Sequence, residues 1–261
     1  MKRIGVISDP HGNLPALEAV LAELEREELD GLVCLGDVAV GPQPAETLAR
    51  VRALGCPVVK GNWDEWFCEG IPPATDETGR KLVEIGEFWA AKLSNEDISA
   101  MRSFAATVEL DLGDGETALC FHGTPSSNVE GIYSETPELE LAQFLGDARE
   151  RVLLCGHTHL QMLRRFEQSI VVNPGSVGLP FSDWQPRVVR IAPWAEYGIL
   201  CSHEGRLRFD LRRTTYDVEA LLRLSLASGM PHAEWWVGSW QLDSGTNRAW
   251  TGVPTRVFRR E

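Results

Sequence analysis

The first sixty residues alternate short apolar runs with amphipathic segments, and this alternation constrains the fold more than any other feature. Strands are predicted over residues 4–8, 32–35 and 57–60. Helices are predicted from Asn13, a favourable N-cap with Pro15 in the first turn, and over residues 44–54. Strands that are joined by crossover helices pair in parallel, so this segment predicts a parallel sheet covered by helices.

The rest of the chain predicts a longer helical stretch and then a second group of strands. Residues 63–103 have a mainly helical pattern, which Pro72 and Pro73 interrupt. Hairpins are predicted over residues 107–121, around a Gly-Asp-Gly turn, and over residues 162–172. Further strands are predicted over 152–155, 188–191, 197–202 and 207–211, and helices over 137–145 and 218–226. The residues beyond Pro231 are rich in tryptophan and give no clear pattern.

Five of the predicted strands are followed at their carboxyl ends by residues that can bind a metal ion. In chain order these are Asp9 with His11, Asp37, Asn62, His122, and His157 with His159. In open α/β sheets, ligands bind at this edge. One such residue alone is more often structural than a ligand, but four of the six histidines fall here, which favours a shared site. If the backbone is extended, both members of each i, i+2 pair point to the same side.

The set combines imidazole, carboxylate and one amide, and it contains no cysteine. This mixture is typical of Mn, Fe, Ni or Zn sites and differs from an all-thiolate structural zinc site. Seven side chains are too many for one such ion. They fit two ions that share a bridging carboxylate.

Composition limits the partners that we expect. The formal net charge is −13, which argues against extended nucleic-acid binding but not against a small phosphate ester, because metal ions reverse the local charge. No apolar run approaches the length of a membrane span, and the first predicted strand leaves no room for a signal peptide. The six cysteines form no CxxC pair, which favours a reducing cytoplasm.

The motifs DPHGN, GD, GN, FHGTP and GHTH occur in this order, and together they resemble the calcineurin-like metallophosphoesterases. NPGSVG and the segment RRTTYDVEALLRLSLASGM are similar to the small bacterial and archaeal phosphodiesterase branch. The resemblance implies a four-layer αββα sandwich, in which two mixed sheets pack between helices, and a dinuclear metal site. We expect a metallophosphoesterase domain over 1–230, with a helical cap insertion over 63–103. A Trp-rich extension over 231–261 would pack on this domain.

The resemblance also assigns roles to individual residues. It places Asp9, His11 and His159 on a first ion, Asp37 as the bridge, and Asn62, His122 and His157 on a second ion. Asp37, Asn62 and His122 are the residues assigned to catalysis, and Asn62 and Trp63 are assigned to substrate binding. Two divalent ions, of which we expect manganese to support activity best, would activate water and stabilise the charge of in-line attack.

Trp63 is the largest departure from the wider family, in which a His in this position often assists the phosphate or the leaving group. An indole cannot transfer a proton, so we expect good activity on activated diesters and weak activity on phosphoserine peptides. Asp64 is either a substitute acid or a solvated helix N-cap. Trp63 either packs over the site beside Trp66, which we favour, or stacks against an aromatic group of the substrate.

Several other residues leave alternatives open. Residues 173–176 (NPGS) either orient a ligand histidine or contact phosphate, or they form an ordinary turn, and Thr124 has the same ambiguity. His203 and His232 match no motif and are expected to be structural. The C-terminal tryptophans either pack in the core, form a dimer interface or cover the substrate, and we favour packing in the core. These tryptophans are Trp235, Trp236, Trp240 and Trp250.

The leading functional prediction is a phosphodiesterase that acts on a small phosphate ester. One alternative is a nucleotide phosphatase or a serine/threonine protein phosphatase of the same superfamily. Another is a non-enzymatic scaffold, against which the complete set of seven predicted ligands argues. The native metal, the physiological substrate and the existence of a homodimer are not decided by the sequence.

Overall fold

The computed structural model describes residues 1–185 and 188–240, which form eleven strands and eight helices. In chain order these are β1 (Lys2–Ile7), α1 (Leu14–Leu24), β2 (Gly31–Cys34), α2 (Pro44–Ala53), α3 (Asn62–Glu69), α4 (Glu77–Ala90), α5 (Asn95–Arg102), β3 (Thr107–Gly113), β4 (Glu116–Phe121), α6 (Glu138–Leu145), β5 (Val152–Leu154), β6 (Gln161–Phe166), β7 (Ser169–Pro174), β8 (Phe181–Gln185), β9 (Val188–Ile191), β10 (Ala195–His203), β11 (Arg206–Thr214), α7 (Val218–Ala227) and α8 (Ala233–Val237). Both predicted hairpins are present, as β3–β4 and β6–β7.

Two large mixed sheets form the centre of the fold. The first has the strand order β11-β10-β1-β2, and the second has the order β3-β4-β5-β7-β6. β1 pairs in parallel with β2, and β5 pairs in parallel with both β4 and β7. The parallel pairing brings the carboxyl ends of β1 and β2 together in one sheet, and those of β4 and β5 together in the other.

The two sheets pack face to face. Successive residues of a strand point to opposite faces, so each strand directs one set of side chains between the sheets and the other set to the outside. Val6 of β1 and Leu154 of β5 belong to one apolar cluster between the sheets. Their neighbours Ile7 and Leu153 lie on the outer faces, where they join the clusters that contain α1 and α6. Because these strands are buried on both faces, they read as continuous apolar runs. The structure therefore confirms the predicted αββα sandwich.

The first helix is defined by local sequence as expected. The side chain of Asn13 accepts a hydrogen bond from the Ala16 N–H over 3.1 Å, and Pro15 lies in the first turn. The apolar face of α1, with Leu17 and Val20 fully buried, packs on the outer face of the first sheet. This helix begins directly after the loop that follows β1.

The prediction of a third strand over residues 57–60 is wrong in its extent. Val58 and Val59 form only isolated bridges, to Cys34 and Ala105. Pro57 has no N–H to donate, so the segment borders β2 through few backbone hydrogen bonds. It is nevertheless fully buried at Val59 and leads directly into α3. The sequence pattern also misses β8, which has few apolar residues, and α8, which has only five residues.

Residues 63–103 are largely helical, as predicted, and form α3, α4 and α5. The side chain of Asp76 caps α4 by accepting a hydrogen bond from Gly79 N–H over 2.8 Å. Ile85, Trp89 and Met101 from this segment are buried in the same apolar cluster as α1. The cap segment therefore packs directly on the sandwich. Its description as a separate insertion stays a prediction.

The C-terminal tryptophans that the structure describes pack on the body of the protein. Trp236 and Trp240 are buried in the cluster that contains α1, which agrees with the core interpretation. Trp235 is half-buried, with the Lys81 ammonium 5.5 Å from its ring centroid. Trp240 forms a bridge with Ile191 of β9, whereas Trp250 lies outside the described residues. None of the helices in the described ranges is long and apolar enough to cross a membrane.

Candidate metal centre

All seven predicted ligand residues converge at the carboxyl ends of the strands. His11 Nε2 lies 2.9 Å from His159 Nε2, and His159 Nε2 lies 3.3 Å from Asp9 Oδ1. On the other side, Asn62 Oδ1 lies 3.2 Å from His122 Nε2 and 2.9 Å from His157 Nδ1. The side chains thus form two adjacent groups.

Asp37 lies between the two groups. Its Oδ2 atom is 3.5 Å from His122 Nε2 and 3.8 Å from His11 Nε2. Asp9 also borders both groups. The ligand atoms of Asp9, Asp37 and His122 lie within 4.8 Å of one another, and so do those of Asp9, His11 and His159. Each of these five residues is buried.

The expectation that the i, i+2 pairs converge through extended backbone is wrong. Five of the seven residues have a positive φ: Asp9 (53°), His11 (49°), Asp37 (55°), His157 (66°) and His159 (59°). Residues other than glycine seldom adopt this left-handed conformation, and it concentrates at functional sites where the surroundings enforce it. The side chains converge because each loop turns sharply at its ligand residue.

Backbone hydrogen bonds between neighbouring loops hold these turns. Asp9 N–H donates to Gly36 O and His11 N–H donates to Asp37 O, each over 3.0 Å. A close approach also requires glycine at position 61, where a Cβ atom would lie 2.1 Å from Asp37 Oδ1. The loop after β2 is therefore fixed from both sides.

Two histidines are oriented by backbone carbonyls. His122 Nδ1 lies 2.7 Å from Leu35 O, and His159 Nδ1 lies 2.8 Å from Leu179 O. When Nδ1 carries the proton and donates it to the carbonyl, the Nε2 lone pair faces the centre. This arrangement suits both imidazoles to bind a metal through Nε2.

The electrostatic environment favours ionised carboxylates, and it lowers the pKa of two imidazoles but raises that of a third. Burial lowers the pKa of His11 and lowers that of His157 to about 4. Burial acts to raise the pKa values of Asp9 and Asp37, but neighbouring histidines outweigh it. The charge of His159 lowers the pKa of Asp9, and that of His122 lowers the pKa of Asp37, so both values lie below the usual range. Burial would likewise lower the pKa of His122, but the charge of Asp37 raises it to about 9.

These residues fit a pair of divalent cations. Asp9 Oδ1 is buried and accepts no well-aligned hydrogen bond from any described residue, which is costly for a carboxylate oxygen unless a cation approaches it. Carboxylate, imidazole and amide donors in two overlapping groups match the ligand preference of Mn, Fe, Ni or Zn. The individual ligand assignments stay predictions.

Asp64 has a different place from either of those that the sequence suggested. It is only 1% exposed, so the interpretation as a solvated N-cap is wrong. Its carboxylate accepts three backbone hydrogen bonds, from Asp37, Val38 and Gly61, over 2.8, 3.0 and 2.9 Å. Burial and the charge of Asp37 raise its pKa to about 6. Both oxygens are engaged by the backbone, so Asp64 ties the loop after β2 to the start of α3 instead of facing a leaving group.

The NPGS turn supports the ligand loops through hydrogen bonds. Asn173 Nδ2 donates to Gly156 O over 2.7 Å and to Thr158 Oγ1 over 3.0 Å. Ser176 Oγ donates to Asp9 O over 2.8 Å. These contacts favour a positioning role over an ordinary turn. The turn positions the backbone of the ligand loops, and none of these hydrogen bonds involves a histidine ring.

The remaining predicted polar residues lie in ordinary structural contacts. Thr124 Oγ1 donates to Glu130 Oε2 over 3.2 Å within its own loop. His232 pairs with Glu84 of α4 at 2.8 Å, and His203 is exposed at the end of β10. The expectation that both histidines are structural agrees with these positions.

Trp63 combines packing with a place beside the centre. Its backbone N–H donates to Asp37 Oδ1 over 2.8 Å, and its ring contacts Trp66 edge to face at a centroid distance of 4.9 Å. The ring also packs on Gly86 of α4, where an added Cβ would lie 2.4 Å from Trp63 Cζ3. The favoured packing interpretation agrees with these contacts, and the ring also borders the cavity described next.

A cavity of about 560 Å³ extends from the metal centre. Its floor includes His11, Asp37, Asn62, His157 and His159. Its walls are largely apolar and come from α3, α4, the β8–β9 hairpin and α8. Sequence patterns placed Trp63 beside the site, with Trp66 next to it, but did not identify the wall residues of α4 and of the β8–β9 hairpin. The i, i+4, i+7, i+11 spacing of Thr78, Leu82, Ile85 and Trp89 shows that they share one face of α4, but not what this face borders.

Comparison with known proteins identifies the family. The model of the calcineurin-like phosphoesterase superfamily domain matches residues 1–192, so the chain belongs to this superfamily. The crystal structure of a metallophosphoesterase from Sphaerobacter thermophilus is similar over 89% of this chain and 96% of that one, with 26% identity and a TM-score of 0.68. Membership implies phosphoester hydrolysis and a dinuclear metal centre, and the resemblance seen in the motifs is confirmed.

Two further relatives match most of the chain. A hypothetical protein from Pyrococcus horikoshii OT3 has the same fold, with a TM-score of 0.73, 22% identity, and coverage of 88% of this chain and 95% of that one. An uncharacterized protein of Methanocaldococcus jannaschii is 25% identical over an alignment of 252 residues, and the match covers 90% of this chain and 95% of that protein.

Proposed function

We propose that this protein is a dinuclear-metal phosphodiesterase that acts on a small phosphate ester. The observation that carries the proposal is a centre of seven converging metal-binding side chains at the floor of a largely apolar cavity. Asp9, His11 and His159 would hold one ion, Asn62, His122 and His157 the other, and Asp37 both. We propose manganese as the ion that supports activity best.

When bound, the two ions supply an acidified water and positive charge next to the phosphoryl oxygens. The protein contributes fixed positions for this chemistry. Backbone carbonyls orient the imidazoles of His122 and His159. The backbone N–H of Trp63 donates a hydrogen bond to one carboxylate oxygen of Asp37. Such fixed geometry reduces the reorganisation that a reaction in water would require.

The charge of the cavity favours a diester over more highly charged esters. No Lys or Arg occurs among the lining residues that the structure describes, whereas Asp76 borders the cavity. A diester has one negative charge, but a monoester or a polyphosphate has more and would depend more strongly on protein cations. This argues against the alternative of a nucleotide or protein phosphatase.

The test is a screen of metals against substrates. The protein is stripped with a chelator and reloaded with Mn, Fe, Ni or Zn. Each form is then assayed with bis-p-nitrophenyl phosphate, p-nitrophenyl phosphate, a dinucleoside polyphosphate and a phosphoserine peptide. We expect Mn-dependent hydrolysis, fastest for the diester. Hydrolysis with none of the four metals would support the scaffold alternative, and faster turnover of the peptide would support a protein phosphatase.

A pair of histidine variants separates the centre from general effects of substitution. His122→Ala removes a buried residue of the proposed centre, and His203→Ala removes an exposed histidine of β10. We expect loss of at least 10²-fold in kcat/KM for the first variant and an unchanged value for the second. Equal activity of both variants would show that the centre is not the site of reaction.

A further inference from the structure

The cavity is much larger than a phosphate group, and most of it lies away from the metal-binding side chains. Its volume of about 560 Å³ falls in the range of sites that enclose an organic ligand. The predicted metal ligands form only the floor. The rest of the cavity therefore has room for another part of the substrate.

Aromatic side chains from separate parts of the chain line this space. The tryptophan and phenylalanine side chains among them are Trp63, Trp66, Trp89, Phe181 and Trp236. They belong to α3, α4, β8 and α8, which are far apart in sequence. Aromatic rings that share a cavity offer flat apolar surfaces on which another ring stacks or contacts edge to face.

The aromatic walls begin directly at the metal-binding side chains. The ring of Phe181 lies 4.7 Å from the ring of His159, at an interplanar angle of 31°. On another side, Trp63 follows Asn62 in the chain, its backbone N–H donates to Asp37 Oδ1, and its ring lines the same cavity. A group that is esterified to a phosphate at the centre would therefore lie next to the aromatic part of the cavity.

We propose that the cavity selects phosphodiesters in which one ester group is aromatic, and that this group lies between the tryptophans of the cap and Phe181. The proposal rests on the proposed diester chemistry for its phosphate, but the aromatic contact itself does not require turnover. Leu82 is a specificity-determining residue in this arrangement, because it lies on the cavity face of α4 one turn before Ile85.

Binding to the Mn-loaded protein tests the proposal. Dimethyl phosphate, methyl phenyl phosphate and diphenyl phosphate are titrated by isothermal calorimetry, so that the phosphate is constant and only the ester groups change. We expect methyl phenyl phosphate to bind about tenfold or more tightly than dimethyl phosphate, since apolar groups in a fitted pocket are discriminated by such factors. Affinities within twofold of one another for all three diesters would overturn the proposal.

Variants on α4 locate the contact. Leu82→Ala removes part of the cavity wall, and Val83→Ala is the matched control, because Val83 is half-buried beside it but does not line the cavity. Thr78→Trp fills the cavity from the first turn of α4 and serves if Leu82→Ala does not fold. We expect Leu82→Ala and Thr78→Trp to weaken methyl phenyl phosphate several-fold without changing dimethyl phosphate. Equal effects on both ligands would contradict the assignment.

Hydrolysis of bis-p-nitrophenyl phosphate by the same preparations separates this proposal from the proposed function. Preferential binding of the aryl diesters without any hydrolysis would refute the phosphodiesterase and leave the aromatic pocket standing. Hydrolysis without a preference for aryl diesters would do the reverse.

Discussion

Gly61→Ala is the substitution for which the structure gives the sharpest expectation. Gly61 precedes α3 with φ −78° and ψ 172°, a conformation that alanine also adopts without strain. The obstacle is the space next to it. A Cβ atom would lie 2.1 Å from Asp37 Oδ1 and 2.4 Å from Asp37 N, and real Cβ atoms essentially never come closer than 3.0 Å to such neighbours.

The size of the effect follows from these distances. Asp37 or the start of α3 must move by about 0.9 Å, and the side chain of Asp37 cannot rotate away alone, because its own backbone N is also too close. Overpacking of this kind costs about 1–3 kcal/mol. Replacing glycine with alanine at an unstrained position returns about 0.4–1 kcal/mol through the unfolded chain, so we expect net destabilisation of up to about 2.6 kcal/mol. A displacement near 1 Å in a catalytic constellation lowers activity about 10²-fold.

Gly31→Ala is the matched control. Gly31 begins β2, has no positive φ, and an added Cβ would meet no atom within 4 Å. Urea unfolding of the chelator-stripped proteins measures stability, and hydrolysis of bis-p-nitrophenyl phosphate with Mn measures the centre. We expect Gly31→Ala to match or exceed the wild type in both. The reasoning is refuted if Gly61→Ala is as stable and as active as Gly31→Ala.

Three other predictions follow from described contacts. Asn173→Ala removes two hydrogen bonds to the loop after β5 and one from Gly175 N–H within its own turn. We therefore expect urea unfolding to show a loss of about 2–4 kcal/mol and Mn titration to show weaker binding. Unchanged metal affinity would contradict the positioning role. Burial raises the pKa of Glu196 above its ordinary value of 4.5, so the native state binds the extra proton and the wild type loses stability relative to Glu196→Gln as the pH rises through the folded pKa. Melting temperatures of both proteins between pH 4 and 8 check this, and a melting temperature of the wild type that rises relative to that of Glu196→Gln with increasing pH has the wrong sign. Trp63 cannot donate a proton to a leaving group. We therefore expect the ratio of kcat on a nitrophenyl diester to kcat on an unactivated alkyl diester to exceed the ratio of their reactivities in solution. If the two ratios are equal, another acid is present.

The sequence was most informative where a local pattern determines the structure. Asn13 and Pro15 define the start of α1 by their own chemistry, and continuous apolar runs define β1 and β5. The metal-binding residues could be found because each follows an apolar run. The convergence of strand ends is a property of the sheet and does not depend on loop detail.

The sequence failed where tertiary contacts determine the structure. Nothing local distinguishes an exposed Asp64 from one that accepts three buried N–H groups, since the donors include residues 26 and 27 positions earlier. The left-handed turns at Asp9 and His157 are enforced by neighbouring loops, and local preference alone disfavours them. Residues 57–60 have the composition of a strand, but their pairing depends on which backbone lies next to them.

The cavity wall gives the chain a particular order of completion during synthesis. All seven proposed ligands lie between positions 9 and 159, whereas Trp236 closes the cavity from α8. Domains are made from the N-terminus at about 5–20 residues per second. The proposed metal ligands are therefore all synthesised several seconds before the last part of the cavity wall. Until Trp236 is added, the nascent chain lacks one of the aromatic side chains that we propose to select the ester.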